Sequence, residues 1–153
     1  MNDHLIHNWN DRVQPSDSVY FLGDFSFGNP EETGEILRQL RGHKHLVTGN
    51  HDRRGRAEKT DWDFYFNSRQ DYMRLKYEGK KFVLCHFPFE SWERGYVHLH
   101  GHSHGELRTL KGRHDVGVDM KGNYYSPISF QEAFDLAQSY DKLPPYQEVS
   151  VKK

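Results

Sequence analysis

Ser18-Val19-Tyr20-Phe21-Leu22-Gly23-Asp24 and, further on, Lys44-His45-Leu46-Val47-Thr48-Gly49-Asn50-His51-Asp52 follow one pattern. Each is a short run of β-branched, aromatic and aliphatic residues that halts at a glycine and passes at once to polar residues, as a buried strand does on meeting a functional loop. Between them Asn29 can cap a helix with Pro30 in its first turn; Ile36, Leu37 and Leu40 line one face, and Gly42 closes it. Strand, helix, strand is the opening of an α/β fold.

The same reading extends outward. Toward the N-terminus, Leu5, Ile6, Trp9 and Val13 recur at helical spacing, with Asn2 as a cap and Pro15 as a stop. Beyond Asp52 comes a basic stretch with Arg53, Arg54, Arg56 and Lys59, then the aromatics Trp62, Phe64, Tyr65 and Phe66, which periodicity does not assign. Tyr72 to Glu78 and Lys81 to His86 read as strands joined by a turn at Gly79 and Lys80. Tyr96 to His100 and His114 to Val118 read as two more. A final helix opens with the capping box Ser129 and Glu132 and buries Phe130, Ala133, Phe134 and Ala137. From residue 141 a tail with Pro144 and Pro145 is extended or loose. The expectation is one domain over residues 1–153, of α/β class, with mixed pairing and two sheets packed between helices.

Composition restricts the partners. Lys plus Arg number 21 against 22 Asp plus Glu, so no global field steers the chain to long nucleic acid or an anionic membrane, and any attraction for phosphate must be local. No apolar run approaches the roughly 20 residues of a membrane span, and the polar start lacks a secretory signal's apolar heart. The single cysteine, Cys85, rules out an internal disulfide framework; with no export signal, the expected location is the cytoplasm. Cys85 neighbours His86 and should face the other side of its strand as a buried, inert thiol. The eleven histidines are concentrated, with His98, His100, His102 and His104 in one short stretch.

Four expected strands end in residues able to bind a metal: Asp24, Asn50, His86, and the pair His102 and His104. Carboxyl ends of strands in such sheets gather along one edge, where ligands bind. His102 and His104 are two apart, which in extended backbone turns both the same way and lets both face one ion. Each residue alone has a plainer reading as a turn or a packed side chain. Four strand ends converging on metal-binding chemistry outweigh those readings. Imidazole, amide and carboxylate without thiolate favour Mn, Fe, Zn or Ni over Mg or Ca, with Mn the first choice. His98 and His100 precede the glycine turn and are expected inside the fold, and most of the basic stretch after Asp52 as a solvated loop.

Gly23-Asp24, Gly49-Asn50-His51-Asp52, Cys85-His86-Phe87-Pro88 and Gly101-His102-Ser103-His104, in that order, resemble the signatures of the calcineurin-like metallophosphoesterases. The resemblance implies a double β-sandwich flanked by helices, with two metal ions at its upper edge. It implies that Asp24 bridges the ions, that Asn50, His86 and His102 complete one site, and that His104 belongs to the other. His51 would act as acid toward the leaving oxygen, oriented by Asp52, while Arg53 is the one basic residue selected as a phosphate clamp. The implied activity is hydrolysis of a phosphate monoester or diester by water activated on the metal. The substrate would be a small phosphorylated molecule, nucleotide-derived among the options.

The family pattern begins with a strand ending in Asp-x-His, and none precedes Asp24; Asp3 and His4 are adjacent and fall in the expected first helix. A helix leading straight into a buried strand is normally the crossover of a βαβ unit. These observations lead to the expectation of a missing first strand, a truncated N-terminus, exposed sheet edges that favour pairing with another chain, and a full ligand set for one ion only. The competing reading is a non-catalytic or single-metal scaffold of the same fold, acting as a binding module.

Overall fold

The computed structural model describes residues 2–120, 123 and 125–142; the expected tail lies, beyond Lys142, outside them. The elements are α1 (Asn2–Arg12), β1 (Ser18–Phe21), α2 (Pro30–Gln39), β2 (His43–Val47), α3 (Trp62–Tyr65), β3 (Ser68–Gln70), β4 (Tyr72–Tyr77), β5 (Lys80–Cys85), β6 (Val97–His100), β7 (Arg113–Asp115) and α4 (Phe130–Ser139). Two short 3₁₀ turns, His51–Arg53 and Gly55–Ala57, occupy the basic stretch.

The strands form a three-stranded parallel sheet in the order β1-β2-β3 and a four-stranded mixed sheet in the order β4-β5-β6-β7. In the second, β4 and β5 are an antiparallel hairpin, and β5, β6 and β7 run parallel. The expected α/β class with two sheets therefore holds. Along β1 the side chains alternate as a period of two requires. Val19 and Phe21 pack among Trp9, Val13, Leu37 and Leu46 with α1 and α2, whereas Tyr20 joins Phe82, Leu84, Leu99 and Ala133 beneath the second sheet and α4. The first sheet thus has helices on one face and shares a core with the second sheet on the other.

Local chemistry explains the helix starts. Asn29 accepts the N–H of Glu32 while Glu32 reaches back to the N–H of Asn29, and Ser129 and Glu132 repeat the device on α4. Glu132 also receives the guanidinium of Arg12 on α1 at 2.9 Å. Trp9 on α1 donates its indole N–H to the carbonyl of Arg41. Phe82 and Leu46 are fully buried. Truncating either to alanine costs roughly 2–5 kcal/mol in such a setting.

Two boundaries move from their expected places. The hairpin turn is Glu78-Gly79, one residue earlier than expected, because both residues sit at positive φ, 46° and 75°, matching the mirror-image turn that suits strand twist. The strand expected from His114 to Val118 is Arg113–Asp115, since the chain bends away at Val116 and Gly117. The unassigned aromatics divide: Trp62 and Phe66 are buried with α1 and α2, while Phe64 is exposed. No helix among the described residues is long and apolar enough to cross a membrane.

Candidate metal centre

The loops leaving β1, β2, β5 and β6 meet around His86, which is 1% exposed. Its Nδ1 lies 2.7 Å from the carbonyl oxygen of Leu22. A carbonyl offers only lone pairs, so Nδ1 carries the proton and, in the neutral ring, Nε2 presents a lone pair. Nε2 lies 3.0 Å from Asn50 Oδ1, 3.1 Å from His102 Nδ1 and 3.3 Å from the Oδ2 of Asp24. One ligand atom from each of Asp24, His86 and His102 falls within 4.8 Å of the other two. Electron-rich atoms crowded in this way repel unless a proton or a cation lies between them. Asp24, Asn50, His86 and His102 are therefore brought together as expected, and the donor set fits a divalent transition metal.

The backbone is bent to make this possible. Asp24 and His102 have φ of 53° and 66°, in the left-handed region that non-glycine residues seldom occupy. Two glycines allow the loops to touch. A Cβ on Gly23, whose φ is 86°, would come within 2.5 Å of His86 Nδ1, and one on Gly49 within 2.6 Å of the backbone nitrogen of Asp24. Any side chain at either position would push ligands apart.

Asp52 is buried and does not serve the role expected of it. Its carboxylate accepts the backbone N–H groups of Asp24 (2.8 Å), Phe25 (2.9 Å) and Gly49 (2.8 Å), and among the described residues no hydrogen bond joins it to the His51 side chain. It ties the β1 and β2 loops together rather than orienting His51. Burial pushes its carboxyl up, opposed by the three N–H donors. His51 is exposed; its backbone N–H donates to Asp24 Oδ1 at 2.8 Å, and its ring lies edge-on to Phe27 at 4.9 Å.

His104 stands apart from the cluster. Residues 102–104 are a turn, with φ of 66° at His102 and 48° at His104, not the extended backbone that would align the two side chains. His104 Nδ1 instead pairs with Asp119 Oδ2 at 2.7 Å, which raises the imidazole pKa. Arg53 is also engaged elsewhere, in an ion pair with Asp71 on the surface. The buried Asp115 was not identified from the sequence. It accepts the Ser103 hydroxyl at 2.7 Å and the N–H groups of Gly105 (3.1 Å) and Gly117 (2.9 Å), fixing the turn that carries His102. Nothing in the local sequence distinguishes Asp115, and nothing there reveals the backbone that Asp52 holds in the β1 loop, because only the fold brings those partners near.

Behind the cluster His98 and His100 are buried, as expected. His98 Nδ1 lies 3.3 Å from the Val83 carbonyl, its Nε2 accepts the Phe89 N–H at 3.1 Å, and Phe89 stacks on its ring. Burial lowers its pKa to about 4, so it is neutral at physiological pH, and burial lowers His100 as well. Cys85 is buried and its thiol pKa is raised by that burial, in keeping with an inert side chain. An open depression of about 880 Å³, lined by Lys80, Trp92, Arg94, Tyr96 and Phe134, lies where β5 and β6 begin, remote from the cluster at their ends.

No protein-family model matches the chain. An uncharacterized protein of Methanocaldococcus jannaschii, MJ1445, is 35% identical over 139 residues, spanning 84% of this chain and 70% of its own length. The gene 66 protein of Mycobacterium phage D29 is 29% identical over 131 residues, spanning 68% of this chain and 66% of its own. Among solved structures, a protein of unknown function from Aquifex aeolicus, AQ665, superposes with a TM-score of 0.62 over 88% of this chain and 84% of its own, at 24% identity, a likeness of fold.

Proposed function

This chain belongs to the family of the Methanocaldococcus jannaschii protein MJ1445, and we propose that it is a metal-dependent hydrolase of phosphate esters. The observation that carries the proposal is the lone pair of His86 Nε2, held by Leu22 toward Asp24, Asn50 and His102. The same residues carry the likeness to calcineurin-like metallophosphoesterases, and two sheets sharing a core are compatible with that family's double sandwich.

In this reading Asp24, Asn50, His86 and His102 hold one divalent ion, with manganese the first candidate and iron, zinc and nickel next. His104, turned to Asp119, does not join them. When bound there, such an ion would supply a Lewis acid for a phosphoryl oxygen and would lower the pKa of water toward roughly 7. The residues supply the rest. Asp24 turns one oxygen toward the cluster and uses the other to anchor the His51 backbone, which supports a role for the exposed His51 ring as the proton donor to the leaving oxygen. The substrate is a small phosphorylated molecule.

The test loads purified protein with Mn²⁺, counts metal per chain and follows bis-p-nitrophenyl phosphate and p-nitrophenyl phosphate. One ion per chain is expected, with turnover falling about 10²–10⁴-fold in His51→Ala while metal is retained. Failure to take up metal, or full turnover in His51→Ala, overturns the reading. One ion without turnover selects a metal-binding scaffold instead, an alternative favoured by the diversion of His104 to Asp119.

A further inference from the structure

Nine large hydrophobic side chains are exposed among the described residues, and two of them border the candidate centre: Phe27, 63% exposed, and Phe87, 45% exposed. Phe27 meets the ring of His51 at 4.9 Å; Phe87 meets His102 at 4.9 Å and His86 at 5.0 Å. A chain of contacts therefore runs from Phe27 through His51, Asp24 and His86 to Phe87, with the electron-rich cluster in its middle.

A solitary exposed phenyl is ordinary and needs no explanation. Here two have been placed against the imidazoles of one polar site. The contacts are inclined at 61° for Phe27 and at 63° and 79° for Phe87, so neither ring is stacked flat on a protein ring. Each remains available for stacking by something else. A phosphate dianion gains nothing from phenyl groups, so they serve the remainder of the ester.

On the basis of the phosphoesterase reading, we propose that Phe27 and Phe87 form an apolar subsite for a planar aromatic group, and that the substrate class is nucleoside phosphates rather than polyol, sugar or inorganic phosphates. The base stacks on one or both rings while the phosphate sits at the cluster. The near balance of charge over the whole chain suits a single nucleotide or a short diester, which requires no extended basic track.

The experiment uses the Mn²⁺-loaded chain. Thymidine 5′-monophosphate and methyl phosphate, which present the same phosphate with and without a base, are titrated calorimetrically. Thymidine 5′-(p-nitrophenyl phosphate) and methyl p-nitrophenyl phosphate are compared by kcat/KM, since they share one leaving group. The nucleoside compounds are expected to be favoured by roughly tenfold or more in both assays, the scale of one base stacked on one aromatic ring. Phe27→Ala with Phe87→Ala is expected to bring that ratio to near one, with metal content unchanged. Equal affinity for the two monophosphates in the unaltered chain overturns the subsite, as does a preference that survives in the double variant. If both p-nitrophenyl esters turn over without discrimination, the subsite alone fails and the hydrolase reading stands. If the chain takes up no metal, both fail together.

Discussion

The carboxylate of Asp52 accepts the backbone N–H of Asp24 at 2.8 Å, so a buried side chain outside the candidate ligand set fixes a residue within it. The same carboxylate holds Phe25 and Gly49, fastening the ends of two parallel strands to each other. Asp52→Asn keeps the shape but turns an amide NH₂ toward N–H donors. Urea unfolding should register a loss of about 1–3 kcal/mol. Manganese affinity should fall about 10- to 100-fold, as for other supports of metal ligands. Unchanged affinity in a folded variant would show that Asp24 needs no such anchor.

Gly49→Ala addresses the same junction from the other side. The added methyl would meet the backbone nitrogen of Asp24 at 2.6 Å and His86 Cε1 at 3.0 Å, both ligand residues with little room to retreat. Overpacking of this kind costs roughly 1–3 kcal/mol. Metal uptake should fall more than thermal stability does, because the displaced atoms are the ligands themselves. Wild-type uptake in this variant would mean that the loops are free to spread.

Metal should stabilise the chain by linkage. At a free Mn²⁺ concentration 100 times the dissociation constant, the folded state should gain about 2.7 kcal/mol, seen as a rise in midpoint temperature. Chelation should reverse it. Asp24→Ala and His86→Ala should abolish the rise, whereas His104→Ala should keep it, since His104 pairs with Asp119. An equal loss in His104→Ala would return that residue to the ligand set.

His98 should impose an acid limit on stability. Its pKa is lowered from 6.5 to about 4 by burial, so between those values the unfolded chain binds a proton that the folded chain refuses. The contribution is absent above the unfolded value; stability declines as pH falls through the window, by roughly 3 kcal/mol for this group. His100 and His114, lowered by the same cause, act in the same direction. Urea titrations across the window should show a slope smaller by about one proton in His98→Gln than in the unaltered chain. Identical slopes would exclude His98 as the source.

What could be read in the sequence was whatever depended on neighbours along the chain. The boxes at Asn29 and Ser129, the Pro30 start, and the glycine-to-polar endings of β1 and β2 are local devices, and they hold. So does the convergence of Asp24, Asn50, His86 and His102, which follows from strand ends sharing an edge. The rest depended on backbone that pattern does not reveal. β3 was overlooked because Ser68, Arg69 and Gln70 are polar and largely exposed. His104 was placed by assuming extended backbone where positive φ turns the chain. Asp52 was assigned to the adjacent His51, yet its partners lie in two loops, one of them a distant stretch of sequence.

The pairing of Arg12 with Glu132 spans 120 positions, and Glu132 is also the residue that closes the cap of α4. Exposed as it is, the ion pair adds little to equilibrium stability. Its importance is temporal: synthesis must pass nearly the whole described chain before the first helix finds this partner, so the contact can form only late. Together with parallel strands that must await their crossovers, this favours slow acquisition of the native fold by these elements.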